Sequence, residues 1–141
     1  MKIGIVASEF NKEITNRLLT SCLGRLAELG VPRKSVAVVR VPGALELPVA
    51  AQALVSKKRF DALICLGCVL QGQTAHHTVV AQGAAQGLLQ VSLKKKIPIV
   101  FGVITPGTHR QALARSSGKT LNRGREAAET AVKMIKVMRS L

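Results

Sequence analysis

Tryptophan and tyrosine are absent from this 141-residue chain, and phenylalanine occurs three times. An interior without aromatic bulk must be filled by Val, Leu, Ile and Ala, the side chains that line strands buried on both faces in β/α architectures. Acidic residues are also scarce, seven against 21 Lys plus Arg, which leaves a formal net charge of +14. That excess favours an anionic partner (phosphate, nucleic acid or an acidic surface) without choosing among them. No apolar run reaches the roughly 18 residues of a membrane-spanning helix. The start, Met1-Lys2 followed by Ile3-Gly4-Ile5-Val6-Ala7, is too short in its apolar part for a signal peptide. Three cysteines, an odd count in apolar contexts, suit a reducing compartment, so the expected location is cytoplasmic.

What is present is carbon: 48% of the residues are hydrophobic, enough for one domain over 1–141 with its own core. Short apolar runs predict strands at 2–7, 36–41, 62–69 and 97–104. Between them, helical spacing such as Ile14, Leu18, Cys22, Leu26 and Leu29 predicts helices. These span about 11–29, 45–58 and 75–93, a short helix from the cap Thr108 through Ala114, and a last one over 122–139. Asn11 or Ser8 caps the first helix and Gly30 stops it, while Pro48 fits only the first turn of the second. A polar loop is expected from Ser116 to Leu121. Strands alternating with helices imply an α/β fold, a four-stranded parallel sheet covered on both faces.

Ligands in such sheets bind beyond the carboxyl ends of the strands. The loops expected there carry Phe10, Glu46, Thr74, His76 and His77. Gly72-Gln73-Thr74 ahead of a helix is either an anion cradle of backbone N–H groups and a hydroxyl, or simply a helix cap. Two adjacent histidines at a helix start can transfer protons near neutral pH. Arg115, Lys119, Arg123 and Arg125 form either a solvated basic face or a phosphate clamp with two-pronged donors. Cys65 and Cys68 fall three apart within an expected strand, so they point to opposite faces, and a metal or dithiol role is rejected.

Four blocks then resemble the lumazine synthases: Pro42-Gly43-Ala44-Leu45-Glu46-Leu47-Pro48, the GCVLQGQTAH segment from Gly67 to His76, Phe101-Gly102-Val103-Ile104-Thr105, and Asn122-Arg123-Gly124-Arg125-Glu126-Ala127-Ala128. They keep the family's spacing from Phe10 to the C-terminus. The resemblance implies a three-layer αβα flavodoxin-like sandwich that forms homo-oligomers, a pentamer or an icosahedral 60-mer, with active sites between neighbouring subunits. It implies condensation of 5-amino-6-(D-ribitylamino)uracil with 3,4-dihydroxy-2-butanone 4-phosphate in riboflavin biosynthesis, with no cofactor and no metal. By position, Phe10 stacks on the pyrimidine, and Ala44, Leu45 and Glu46 hold its edge and the ribityl chain. Val69 and Leu70 are carried over as substrate-binding, and Gln73 and Thr74 meet the sugar phosphate. His76 is the proton-transferring residue, Arg115 binds phosphate, and Phe101 comes from the adjacent subunit. Lys119, Arg123 and Glu126 match charged positions around the site.

The chain departs from the family pattern at a few places. Leu45 stands for an aromatic residue, Gln71 for an arginine, His77-Thr78 for an aromatic and an acid, and Arg123 for a lysine. The family carries a further N-terminal strand that adds to a neighbour's sheet, and this sequence starts short of it. Two other readings compete: a shell-forming homologue with weakened catalysis that binds or packages anionic cargo, and a dedicated nucleic-acid binder. The second lacks aromatics for base stacking and any recognisable motif, so nucleic acid is expected only nonspecifically, through charge.

Overall fold

The apolar runs form four strands, β1 (Ile3–Ser8), β2 (Val36–Val41), β3 (Ala62–Cys68) and β4 (Ile99–Ile104), in a computed structural model that describes residues 1–72 and 76–141. They pair in parallel in the order β2-β1-β3-β4. In the register, Val6 lies between Val39 and Cys65, and Leu66 lies beside Gly102. β1 and β3, central and buried along their whole length, are the most uniformly aliphatic segments because both of their faces are covered.

The covering helices are α1 (Lys12–Glu28), α2 (Leu47–Lys57), α3 (His77–Lys95), α4 (His109–Ser117) and α5 (Arg123–Ser140). Strand side chains alternate, so Ile3, Ile5, Ile64 and Leu66 meet α1, α4 and α5 on one face. Val6, Leu63 and Cys65 meet α2 and α3 on the other. Each fully buried Ile or Leu contributes about 1.5–3 kcal/mol relative to exposure. The result is the expected three-layer αβα sandwich. Cys65 and Cys68 sit in opposite cores, and burial pushes their thiols up to about 12 and about 11. Among the described residues no helix is long and apolar enough to cross a membrane.

Several boundaries differ from expectation. α4 continues past Ala114 to Ser117. Ser116 Oγ donates to the Ala112 carbonyl at 2.7 Å and Ser117 Oγ to that of Leu113 at 2.8 Å, so both hydroxyls are satisfied inside the helix. The polar loop is correspondingly shorter than predicted. The second helical segment opens as a 3₁₀ turn at Ala44–Glu46 before α2, with Pro48 in the first turn. β4 starts at Ile99, after Pro98, whose carbonyl accepts from Leu63 N but which has no N–H to donate. The start expected for the third helix at Ala75 lies outside the described residues.

Candidate active site

Three strand ends are tied together at the carboxyl edge of the sheet. Asn11 takes a left-handed conformation (φ 60°, ψ 50°) at the head of α1. Its side chain does not cap the helix; Nδ2 donates instead to the Cys68 carbonyl at 2.8 Å. Glu9 N donates to Val41 O at 2.8 Å and Phe10 N to Pro42 O at 3.0 Å, laying the turn after β1 against the turn after β2. Phe10 is thereby held 61% exposed, a large apolar ring presented rather than packed. Beside it, Ala44 is buried while Leu45 and Glu46 face out. Leu45 leans over α3 at Gly83, and the Glu46 carboxylate folds back over Gly43.

The stitching continues beyond the other two strands. Val69 N donates to Ile104 O at 2.9 Å and Gln71 N to Pro106 O at 3.0 Å. Gln71 Nε2 reaches Thr105 O at 3.0 Å. Val69 and Leu70 are buried by this extension. His76 stands at the head of α3, exposed, with its carbonyl accepting from Val80 N at 3.0 Å. Gln73 and Thr74, expected to meet the sugar phosphate, lie outside the described residues.

A second group lies along the open edge of β4. A cavity of about 450 Å³ is lined there by Phe101, Thr105, Arg115, Arg123, Glu126 and Thr130, among others. Phe101 is 42% exposed, and Arg115, in the last turn of α4, is half-buried. Caps fix both helices: Thr108 Oγ1 accepts from Gln111 N, and Asn122 Oδ1 from Arg125 N. A polar chain pins their junction to α1, with Asn122 Nδ2 donating to Ser21 Oγ at 2.9 Å and Ser21 Oγ to Ser116 O at 3.0 Å. Arg123 and Glu126 neutralise each other at 3.0 Å. Among the described residues no carboxylate pairs with Arg115, which leaves it as the cavity's available cation.

The expected residues therefore fall into two groups that this chain does not enclose in one cavity. Phe10, Ala44, Leu45, Glu46 and His76 occupy the carboxyl-edge loops, and Phe101, Arg115, Arg123 and Glu126 the β4 edge. Lys119 joins neither; it lines a separate depression with Ser21, Ser117 and Asn122. Thr130 was missed, although it lies one turn beyond Glu126 on α5. The structural roles of Asn11 and Gln71 had no local sequence signal. Among the described residues no three His, Cys, Asp or Glu side chains group to hold a metal ion.

The family model described as 6,7-dimethyl-8-ribityllumazine synthase matches residues 1–139. A 6,7-dimethyl-8-ribityllumazine synthase of Coxiella burnetii (strain CbuG_Q212) is 44% identical over 140 residues, 99% of this chain and 93% of that protein. Another, from Protochlamydia amoebophila (strain UWE25), is 45% identical over 134 residues, 95% of this chain and 78% of that protein.

Proposed function

The chain belongs to the 6,7-dimethyl-8-ribityllumazine synthase family, and we infer from that premise that it makes this lumazine for riboflavin biosynthesis. The 5-amino group of 5-amino-6-(D-ribitylamino)uracil attacks the carbonyl of 3,4-dihydroxy-2-butanone 4-phosphate, and loss of water gives an imine. Loss of the C3 proton then expels inorganic phosphate from C4 and leaves an enol, which takes up a proton to become a ketone at C3. The ribityl-bearing nitrogen closes the second ring on that ketone with loss of water. His76 moves the protons these steps require. Arg115 offsets the charge that builds on the departing phosphate. Phe10 stacks on the pyrimidine, and the Ala44–Glu46 turn holds its edge and the ribityl hydroxyls. Phe101 forms the far wall. Holding two reactants in line supplies much of the acceleration, because it removes a large entropic cost.

The observation that carries this reading is the state of Arg115: half-buried, without a carboxylate partner among the described residues, and facing the same cavity as the presented ring of Phe101. A structural arginine would be neutralised as Arg123 is. Because Phe10 and His76 lie on other loops, the site is completed by a neighbouring copy in a homo-oligomer, a pentameric ring or a shell of such rings. Apolar side chains available for that contact are Val49 on α2, 70% exposed, and Leu93 on α3, 78% exposed. Incubating the purified chain with both substrates, without added metal or cofactor, should produce the lumazine chromophore. Absence of product with a correctly folded oligomer sinks the assignment.

A further inference from the structure

The positive charge is concentrated at the end of the molecule opposite the candidate site. Helices in this sandwich run back from the carboxyl to the amino ends of the strands, so the helix-to-strand connections all meet at one pole. Those connections carry Arg33-Lys34 before β2, Lys57-Lys58-Arg59 before β3 and Lys94-Lys95-Lys96 before β4, with Lys2 before β1. All nine are exposed. Among the described residues none of them makes an ion pair. The acids towards this end are already engaged: the Asp61 carboxylate accepts the Lys2 backbone N–H at 2.6 Å and lies 3.8 Å from Arg139, and Glu28, which ends α1, pairs with Arg25 and Arg125.

Part of this pattern has a plain cause, since cations in the last turn of a helix are favoured by its dipole. That accounts for Lys57, Lys94 and Lys95, which end α2 and α3. It does not account for Lys2, Lys34, Lys58 and Arg59, which lie outside the α-helices. These four line one hollow of about 340 Å³ beside Phe60. A second hollow of about 350 Å³ shares Lys58, Arg59 and Phe60 and continues to Lys95 and Lys96. The strand order puts Lys34, Lys2, Arg59 and Lys96 in sequence along the edge. At a strand spacing of ~4.8 Å the row is roughly 14 Å long.

We propose that this trough at the amino ends of the strands binds the phosphate backbone of a single-stranded nucleic acid, independently of its base sequence. A single phosphate group needs donors converging on one point, whereas these cations form a row that a chain of phosphates can follow. The surface is a pair of linked hollows, which suits a strand better than the flat headgroup layer of a membrane. The one ring that lines both hollows, Phe60, is half-buried against the core and not presented for stacking, so the interaction is with the backbone and falls steeply with salt.

The test is fluorescence anisotropy of the full-length protein with a fluorescein-labelled single-stranded RNA oligonucleotide of mixed sequence, titrated at several salt concentrations. Lys34→Gln/Lys58→Gln/Arg59→Gln should lose at least about tenfold in affinity and shed about 2 from the log–log salt slope. The charge-matched control Lys12→Gln/Arg17→Gln/Arg110→Gln should lose less than about threefold on the same counterion argument. Lys34→Arg/Lys58→Arg/Arg59→Lys, which keeps the charge, should retain binding. Equal losses in the two Gln triples would mean that net charge alone binds RNA, and the proposal fails. It also fails if the first triple binds RNA normally, including the case where it loses only its affinity for phosphatidylserine vesicles. Thermal melting of each variant verifies that it is folded.

Discussion

Replacing Gly124 with alanine should weaken the fold, while the same change at Gly24 should strengthen it. A Cβ on Gly124 would lie 2.4 Å from the Leu18 carbonyl oxygen, with Ser21 Cβ at 3.0 Å and Cys22 N at 3.2 Å. Ordinary carbon–oxygen contact is about 3.3 Å, so the first turn of α5 must retreat from α1 by nearly an ångström. Overpacking of this kind costs about 1–3 kcal/mol, more than the ~1 kcal/mol at most that Gly→Ala gains in helix propensity. For a domain of this size, each kcal/mol moves Tm by roughly 3–5 °C. Gly124→Ala should therefore melt several degrees lower. Gly24 lies in the exposed interior of α1 with nothing within 4 Å of its would-be Cβ, so alanine there should add about 0.5–1 kcal/mol. Thermal unfolding followed by circular dichroism reads both. If the two shifts share a sign, or Gly124→Ala melts at or above the parent, close approach of α1 and α5 is not what sets that position.

On the proposed chemistry, His76→Ala should lower kcat by about 10²- to 10⁴-fold, the usual scale for losing a general acid–base group. Arg115→Ala should raise KM for the butanone phosphate while KM for the pyrimidine barely changes, and parallel changes in both would remove Arg115 from the phosphate. Glu28 offers a pH test. The hydrogen bond from Arg125 (2.7 Å) holds its carboxyl below the usual range. A group depressed in the folded state adds stability above its unfolded pKa, and that contribution is lost as pH falls through the folded value. The Tm advantage of the parent over Glu28→Gln should thus be full near neutrality, begin to fall once pH drops to the unfolded glutamate value of ~4.3, and disappear only below the lowered folded value. An advantage that persists in acid would show that the pair is not its source.

The sheet and its two cores were legible because β1 and β3 carry no charged side chain and are mostly aliphatic, and their alternation is fixed by the pleat; Cys65 and Cys68 could be sent to opposite faces from spacing alone. The location of Phe10, Glu46 and His76 on the carboxyl edge followed from the same rule for parallel sheets. What could not be read depended on partners distant in sequence. Asn11 looked like an ordinary cap, but its amide finds the Cys68 carbonyl, a contact no local pattern encodes. α4 outran its expected end because its serines bond back into the helix. Lys119 looked like a member of the arginine cluster, yet the Ser116–Ser21–Asn122 chain turns its loop towards α1 and away from the β4 edge. The pairing of Arg123 with Glu126 was visible as an i,i+3 spacing; its consequence, that Arg115 is the available cation, emerged only from the cavity.

The separation of the candidate residues into two groups can itself be put to the test. The carboxyl-edge loops are tied to one another by backbone hydrogen bonds and by Asn11 and Gln71, so they are poorly suited to folding over towards the β4 edge of their own chain. A site containing both His76 and Arg115 then has to draw them from two copies. Suppose His76→Ala and Arg115→Ala chains, each nearly inactive alone, are unfolded together in equal amounts and refolded. Random assembly in a closed ring gives about one interface in four with an intact His76 facing an intact Arg115. Activity of the mixture should therefore rise to about a quarter of the parent level, with the unmixed variants staying near zero. If instead each chain carries a whole site, every site in the mixture holds one defect and co-refolding restores nothing. Mixing the two variants after separate refolding supplies the control, since activity appearing there without subunit exchange would have to come from something other than a shared interface.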